Sequence, residues 1–336
     1  MNLKTETIEN ATFYHVVNDI GFEAILSDLG AGIYALSWCG KPLTTGPKDP
    51  VSYLEHPAYY GKTIGRIAGR IGKGQLHFEG KTYALTTNEG KNTLHGGVKG
   101  FSYKRFQVET AEEKDGMTIC FTLVSPDGDQ GFPGNVLAKV TYFIPKEEAK
   151  LRITYHVESD VDTPVSMTSH TYFNLGGEQN IENHSLTIHA PEVLTYDAEL
   201  IPQHYVPVPS YLDFQTAKRL KDMLYHPALC VRGSSGIDHA FHRFETVSRE
   251  EPFLRLQNGA LVLEVRTSYD DAVVYTTNYP PFGMAMVNGK ALTLHGGIAI
   301  EPQYEALDFA RMTVHPNQAQ ENFIEYAFSM ERKEKK

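Results

Sequence analysis

The chain has 336 residues, of which 41% are hydrophobic and 11% aromatic, enough for a large apolar core, and this composition excludes disorder for most of the chain. The 41 acidic and 31 basic residues give a formal net charge of -10, which disfavours binding to nucleic acid or to an anionic membrane surface. No stretch approaches the roughly 18 apolar residues of a membrane helix, and the polar N-terminus lacks the apolar segment of a signal peptide, so we expect a cytoplasmic protein.

Alternation of apolar and polar residues is the main secondary-structure signal along the chain. It is clearest in the sequence LRITYHVE, which predicts a half-buried antiparallel strand at residues 151–158. Similar runs, bounded by Gly, Pro, Asn or Asp, lie at residues 118–124, 139–144, 185–190, 261–267 and 272–277. Many short strands separated by turn signals are typical of an all-β sandwich or barrel.

One segment between these strands favours a helix instead. Asp213 is a suitable N-cap and Pro227 a suitable end, and between them apolar residues recur at helical spacing: Phe214, Ala217, Leu220, Met223 and Leu224. With one or two short helices in all, a parallel βαβ architecture is not expected. Length alone allows about two domains. Since no linker divides the chain, we expect one β domain over residues 1–330 and a charged tail at 331–336.

The three cysteines predict no covalent or metal framework. Cys39, Cys120 and Cys230 are odd in number, far apart and not in C-x-x-C spacing. We therefore expect buried free thiols, and neither a disulfide scaffold nor a zinc-thiolate site.

Sequence motifs exclude several classes of enzyme. The chain has no P-loop, no G-x-G-x-x-G at a strand-to-helix junction, no G-x-S-x-G and no H-E-x-x-H. Nucleotide cofactors, serine hydrolysis and zincin chemistry are therefore not expected. The glycine-rich sequence GRIAGR carries two arginines, Arg66 and Arg70, which point to recognition of hydroxyl or carboxylate groups.

Two histidines lie beside glycine turns. His95 precedes Gly96 and Gly97, where the backbone can approach a ligand closely, and His170 lies in an aromatic segment that ends in a glycine turn. A single histidine of this kind is more often a hydrogen-bonded core residue. Two such histidines in similar settings favour a ligand site.

Two further segments carry candidate site residues. Asp238 follows a glycine-rich loop, and His239 and His242 have the spacing of a metal pair, but residues i and i+3 face opposite sides of a strand, so we expect no metal there. Glu301 directly follows an apolar strand. A carboxylate in that place either protects a sheet edge or, when partly buried, acts as a general base.

The sequence TLHGG occurs twice, at residues 93–97 and 293–297. The flanking sequences differ, so we interpret the two copies as similar turns and not as a structural repeat. His295 precedes Glu301 by six residues, which is about 20 Å along an extended strand. Unless the glycine turn folds the chain back, His295 should lie away from any site around Glu301.

Taken in order, these motifs resemble those of the aldose 1-epimerase (galactose mutarotase) family. The similar segments are an arginine motif at residues 64–71, the sequence NTLHGG at 92–97, a hairpin at 127–135, the strand SHTYFNL at 169–175, the sequence IDHAF at 237–241, the strand VYTTN at 274–278 and the sequence IEPQ at 300–303. They extend over most of the chain.

The resemblance implies a large antiparallel β-supersandwich with an open sugar cleft, and an enzyme that interconverts the anomers of a free aldohexose such as galactose or glucose. It implies that Glu301 is the general base and His170 the general acid. It also implies that His95 binds the sugar near its ring oxygen and that Arg70 and Asp238 bind its hydroxyls. We expect no metal, no organic cofactor and no macromolecular partner other than a second copy of the chain, as a monomer or a homodimer.

Two departures from the family pattern leave the preferred aldose open. Gly69 stands where many members have Asn, and residues 304–308 differ from the usual sequence. The aromatic residues near the motifs form either a wall for the sugar or part of the core: Tyr172, Phe173, Tyr275, Tyr279 and Phe282.

Two other functions remain open at this point. Asp238 and Glu301 can be read as the carboxylate pair of a glycoside hydrolase, although His170 and His95 then have no role. A non-catalytic sugar sensor on the same fold is the other alternative.

Overall fold

The structure, a computed structural model, describes residues 1–231, 233–243, 248–280, 283–307 and 309–331. Phe282 and the tail residues 332–336 lie outside these ranges. The described residues form strands β1 to β30: Asn2–Ile8, Ala11–Val17, Phe22–Ser27, Gly32–Trp38, Lys41–Pro42, Thr63–Ile64, Arg70–Ile71, Gln75–Phe78, Lys81–Ala84, Thr93–Leu94, Gln107–Glu112, Gly116–Ser125, Val136–Pro145, Lys150–Ser159, Thr163–Pro164, Thr168–Ser169, Tyr172–Phe173, Ser185–Ile188, Glu192–Tyr196, Pro202–Pro207, Lys218–Arg219, Cys230–Val231, Ser234–Ser235, Asp238–His242, Leu254–Asn258, Leu261–Thr267, Asp271–Tyr275, Ile298–Gln303, Thr313–Val314 and Gln320–Met330.

Helical structure in the described residues is limited to short segments. Helix α1 (Pro50–Glu55) begins where Asp49 accepts a hydrogen bond from the Ser52 amide at 2.8 Å, with a proline in its first turn. The remaining segments are 3₁₀ turns at Gly72–Gly74, Phe101–Tyr103, Asp129–Gly131, Ser210–Leu212, Leu220–Asp222 and Pro227–Leu229. In the part of the chain that the structure describes, no helix is long and apolar enough to cross a membrane.

Three antiparallel sheets dominate the architecture. The largest has the strand order β11-β12-β13-β14-β30-β26-β25-β18-β21, the second has the order β17-β28-β27-β24-β19-β20, and the third joins β1 to β5 in sequence. The predicted all-β antiparallel class is confirmed. Each predicted strand overlaps an observed one, in β12, β13, β14, β18, β26 and β27, although the predicted runs at 185–190 and 272–277 extend two residues beyond the ends of β18 and β27.

The core follows from the alternation seen in the sequence. In β14, Leu151, Ile153, Tyr155 and Val157 are buried while the residues between them face outwards. They belong to one hydrophobic cluster that takes buried residues from Val16 to Phe328. Each fully buried side chain of this type contributes about 1.5–3 kcal/mol to folding, so this cluster holds the sheets together.

The helix predicted between Asp213 and Pro227 is wrong. Asp213 follows a 3₁₀ turn and caps only a local turn, accepting from the Gln215 amide at 3.0 Å. The segment then pairs with another strand, because β21 joins β18 and the Leu220 amide donates to the His184 carbonyl at 2.9 Å. Leu220 is fully buried, as the pattern required, but hydrogen bonds to a neighbouring strand replace those of a helix.

The cysteine prediction is correct for pairing and wrong for burial. All three cysteines are free thiols. Cys39 and Cys230 are exposed, and Cys120 is half-buried. Cys39 lies in the turn after β4, with φ of 50° in the left-handed region that turns use.

Candidate active site

The register of three neighbouring strands places two of the predicted residues, Asp238 and Glu301, on one sheet face. Asp238 of β24 pairs with Tyr275 of β27, and Val273 of the same strand pairs with Glu301 of β28. Alternate residues of a strand share a face, so Asp238 and Glu301 point to the same side. Since β28 lies between β27 and β17, Glu301 belongs to an interior strand, and the interpretation as an edge charge is wrong.

Glu301 and His170 form the centre of the site. His170 Nε2 lies 3.4 Å from Glu301 Oε1, and the two residues are 5% and 2% exposed. Within the described residues, His170 Nδ1 and Glu301 Oε2 are buried without a hydrogen-bond partner. Buried polar atoms of this kind are costly in a protein interior, so the hydrogen bonds of the fold alone do not account for the pair.

His95 lies close to this pair in the same pocket. Its ring centroid lies 5.3 Å from that of His170. The Gly69 amide donates to His95 Nδ1 at 3.2 Å, so the neutral ring carries its proton on Nε2. His95 thus offers an N–H donor, and the contact joins the arginine motif to the first TLHGG sequence.

The two arginines of the GRIAGR sequence have different roles. Arg70 lines the pocket and is held by Glu89, with Nε 2.7 Å from Oε2 and Nη2 3.1 Å from Oε1. This paired geometry fixes the guanidinium plane at the wall of the pocket. Asp238 lines the same pocket. Burial lowers the pKa of Arg70, but the Glu89 hydrogen bond and then the negative charge of Asp238 raise it, and the pKa lies above its usual value.

Arg66 does not bind a ligand, and the prediction for it is wrong. It is 2% exposed and donates to the carbonyl groups of Ser125, Pro126, Pro133 and Gly134 at 2.6–2.8 Å. These contacts hold the hairpin at residues 127–135 against the chain. Sequence spacing alone did not distinguish this structural arginine from Arg70.

Burial sets the protonation of the central groups. It lowers the pKa of His170 to about 4 and lowers the pKa of His95 well below its usual range. Burial first, and then the negative charge of Asp238, raises the pKa of Glu301 well above its usual range. These directions favour a Glu301–His170 pair that holds one proton near neutral pH.

The same three groups have the composition of a metal site. The ligand atoms of His95, His170 and Glu301 lie within 4.8 Å of one another, and two imidazoles with a carboxylate suit zinc.

His239 and His242 have the spacing of a metal pair, but no shared metal was expected there. In strand β24 their side chains do face opposite sides, as predicted. His242 Nδ1 contacts Asp271 Oδ1 at 2.9 Å, while the His239 ring packs 6.3 Å from Tyr196.

Several pocket residues were missed by the sequence analysis. The cavity has an empty volume of about 950 Å³, which includes its opening to solvent. It is also lined by Tyr59, Glu89, Tyr196, Gln303 and Glu305. Gln303 and Glu305 lie beside and within residues 304–308, the segment that departs from the family pattern. That departure was the sequence signal that could have pointed to them. Nothing in the sequence singled out the other three.

The aromatic candidates divide between the pocket and the core. Tyr172, Tyr275 and Tyr279 line the cavity, as expected for a wall. Phe173 is fully buried and packs 4.9 Å from Tyr326, so it belongs to the core.

The second TLHGG sequence lies outside the pocket. His295 is fully buried, and its Nδ1 donates to the Thr276 carbonyl at 2.8 Å. This hydrogen bond places its proton on the opposite nitrogen from that of His95. Both histidines have a positive φ, 51° at His95 and 55° at His295, so the two turns are alike while their surroundings differ.

Comparison with known proteins identifies the family. The family model described as aldose 1-epimerase matches residues 13–319. The chain belongs to the aldose 1-epimerase family. It is accordingly an isomerase that acts on carbohydrates.

Relatives in this epimerase family cover most of the chain. An aldose 1-epimerase of Haemophilus influenzae is 37% identical over 258 residues, which is 75% of this chain and 73% of the relative. A galactose mutarotase of Homo sapiens is 34% identical over 262 residues, which is 75% of this chain and 72% of the relative.

Solved structures confirm the galactose mutarotase-like fold. The GalM/aldose epimerase homologue from C. elegans has a TM-score of 0.86 at 26% identity, covering 96% of this chain and 100% of its own. The galactose 1-epimerase from Lactobacillus acidophilus has a TM-score of 0.87 at 24% identity, covering 98% and 99%.

Proposed function

We propose that the pocket around Glu301 and His170 interconverts the α and β anomers of a free aldohexose, such as galactose or glucose, by opening and closing the sugar ring. The observation that carries the proposal is the buried carboxyl–imidazole pair, with 3.4 Å between Glu301 Oε1 and His170 Nε2, in a cavity lined by hydrogen-bonding groups. Anomer exchange needs a base and an acid that act on one sugar at the same time.

The chemistry requires one proton to leave and another to arrive. The C1 hydroxyl loses its proton while the ring oxygen gains one, and the ring opens to the free aldehyde. Glu301 as carboxylate takes the proton from O1, and His170 as imidazolium donates to the ring oxygen. After rotation about the C1–C2 bond the roles reverse and the ring closes.

A pair that holds one proton already has the charge state that this reaction needs. Transfer of that proton from Glu301 Oε1 to His170 Nε2 converts the neutral pair into the carboxylate and imidazolium. No proton has to enter from solvent before the ring opens. The low polarity that disfavours the separated charges is offset by their mutual attraction at this distance.

The other predicted residues orient the sugar. His95 donates its Nε2–H towards the ring oxygen, and Arg70, held in place by Glu89, donates to hydroxyls that Asp238 also binds. Positioning of this kind lowers the entropy cost of reaching the reactive geometry. The single arginine of the pocket lining, Arg70, is already paired with Glu89, so the lining supplies no excess positive charge for a sugar phosphate or uronic acid, and a neutral sugar is favoured.

Polarimetry tests the proposed function directly. Freshly dissolved α-D-glucose and α-D-galactose should reach anomeric equilibrium faster with the protein, in proportion to its concentration. A spontaneous rate left unchanged would instead support a sugar-binding protein. Aryl glycosides serve as the control for hydrolysis, because a mutarotase leaves them intact and a glycoside hydrolase releases the aglycone.

The pH dependence of kcat/KM should show an acidic limb near pH 4. Activity requires a single proton on the Glu301–His170 pair, and a second proton binds His170 only as the pH falls through its pKa of about 4. The alkaline limb should lie well above the usual carboxyl range, because the raised pKa of Glu301 retains the shared proton as the pH rises. Polarimetric rates corrected for the spontaneous reaction measure both limbs. An acidic limb near 6.5, typical of an unperturbed histidine, contradicts this assignment.

Treatment with a metal chelator should leave turnover unchanged. Proton transfer by Glu301 and His170 needs their lone pairs, which a metal held by these groups and His95 would occupy. Turnover and metal content, measured before and after exhaustive chelation, check this expectation. A stoichiometric metal whose removal abolishes turnover overturns it.

We also infer a cytoplasmic location and a single domain. The location is supported by the three free cysteines, which are typical of a reducing compartment. The single domain over residues 1–330 is supported by the continuous hydrophobic cluster from Val16 to Phe328. The aldose is the one partner that the reaction requires, in a monomer or a homodimer.

A further inference from the structure

A second buried carboxyl group lies in the pocket without a part in the proton transfer. Glu305 follows β28 by two residues, is 4% exposed and lines the same cavity as Glu301. Among the residues that the structure describes, its side chain makes one hydrogen bond, from Gln303 Nε2 to Oε1 at 2.8 Å. Gln303 is fully buried, and its Oε1 has no partner within the described residues. The hydrogen bonds of the fold therefore do not explain why the Glu305 carboxyl and the Gln303 amide are buried at this place.

Gly69 leaves space in front of this carboxyl–amide pair. A Cβ atom at position 69 would lie 3.3 Å from Gln303 Nε2 and 3.7 Å from Glu305 Oε2. The glycine has φ of +80°, a conformation that most side chains avoid. The side chain of a larger residue at position 69 would therefore contact Gln303 and Glu305 and cover them. Glycine leaves both groups accessible from the cavity.

The protonation of Glu305 suits contact with a hydroxyl group. Burial first, and then the charge of Asp271, raises its pKa to about 8. Near neutral pH the carboxyl group is mostly protonated, so it can both donate to and accept from a hydroxyl. The remaining charged groups of the pocket lining are already accounted for: Arg70, Glu89, Asp238 and Glu301.

We propose that Glu305 is a substrate-contacting, specificity-determining residue whose carboxyl group, positioned by Gln303, hydrogen-bonds one hydroxyl of a neutral aldose, other than that on C1, in the space that Gly69 leaves open. This inference rests on the proposed mutarotase function. Glu301 and His170 occupy the C1 and ring-oxygen side of the sugar, so Glu305 distinguishes aldoses that differ elsewhere on the ring.

A comparison of deoxy sugars across variants tests the contact. The variants are Glu305→Ala and the nearly isosteric Glu305→Gln, and the substrates are glucose, galactose and their monodeoxy analogues. Glu305→Ala should lower kcat/KM for the parent sugar by about 10- to 100-fold, the effect of losing a buried hydrogen bond. For the one analogue that lacks the contacted hydroxyl, wild type and Glu305→Ala should agree within about two-fold. Glu305→Gln, which can still hydrogen-bond, should lose less than Glu305→Ala.

The control variant is Glu325→Gln, which removes a partly buried carboxylate that contacts Arg152 at 3.4 Å on the largest sheet. It should leave kcat/KM unchanged for every sugar. An equal loss for the parent sugar and all analogues in both Glu305 variants would show a purely structural role and overturn the proposal.

Calorimetric affinities for the same sugars separate this proposal from the proposed function. The protein could bind the sugars in a way that depends on Glu305 and on one hydroxyl, yet leave the mutarotation rate unchanged. That result would refute the proposed function but not the Glu305 contact. A wild-type protein that neither binds nor converts any of these sugars would refute both.

Discussion

Glu301→Gln and His170→Asn should each lower kcat by about 10²- to 10⁴-fold, the usual contribution of general acid–base catalysis. Each substitution retains a polar side chain of similar size but removes a group that exchanges protons. Since the two residues act as one pair at 3.4 Å, the double variant should lose little more than either single variant. Initial rates by polarimetry on α-D-galactose measure all three.

Loss of folding is separated from loss of chemistry by stability measurements. A carboxyl group whose pKa is raised on folding contributes stability below its unfolded pKa, and that contribution is lost as the pH rises. The amide in Glu301→Gln does not ionise, so this variant should melt no lower than wild type near neutral pH. Native circular dichroism together with near wild-type turnover in either single variant would show that the assignment is wrong.

The matched controls are a histidine and a glutamate of the largest sheet, outside the pocket. His156 contacts Glu158 and Glu321 at the surface, and Glu325 contacts Arg152. His156→Asn and Glu325→Gln should keep kcat within about two-fold of wild type. A large loss in either control would mean that the assay reports general damage.

His95→Ala should lower kcat/KM by about 10²-fold or more, whereas His295→Ala should leave it within a few-fold. His95 lines the pocket, with its ring centroid 5.3 Å from that of His170. In the proposed mechanism it donates its Nε2–H to the sugar, so its removal should cost transition-state stabilisation. His295 donates to the Thr276 carbonyl and packs 5.5 Å from the Tyr225 ring, away from the cavity.

The two variants should also differ in stability. His295 is fully buried, so His295→Ala removes a hydrogen bond and leaves a cavity, and its melting temperature should fall. His95 is partly open to the pocket, and His95→Ala should change the melting temperature little. Comparable kinetic losses in both variants would mean that the second TLHGG sequence acts on the substrate as well.

The sequence by itself determined the class of fold and the chemical groups of the site. Period-two alternation, as in β14, predicts a half-buried strand because each strand must bury one face and solvate the other. The family motifs supplied Glu301, His170, His95, Arg70 and Asp238, and all five line one pocket. Local pattern failed at Asp213, where the apolar spacing fits a helix but strand β18 supplies the hydrogen-bond partners.

Only the tertiary structure decided which residues act together and what surrounds them. The register of β24, β27 and β28 brings Asp238 and Glu301 to one face, and no local spacing encodes that register. Arg66 and Arg70 share one motif, but long-range partners bury the first and expose the second to the cavity. Burial, hydrogen-bond partners and pKa values depend on chain segments that lie far apart in sequence. Glu305 lies beside Gly69 in the pocket for this reason, and no local sequence pattern predicts that contact.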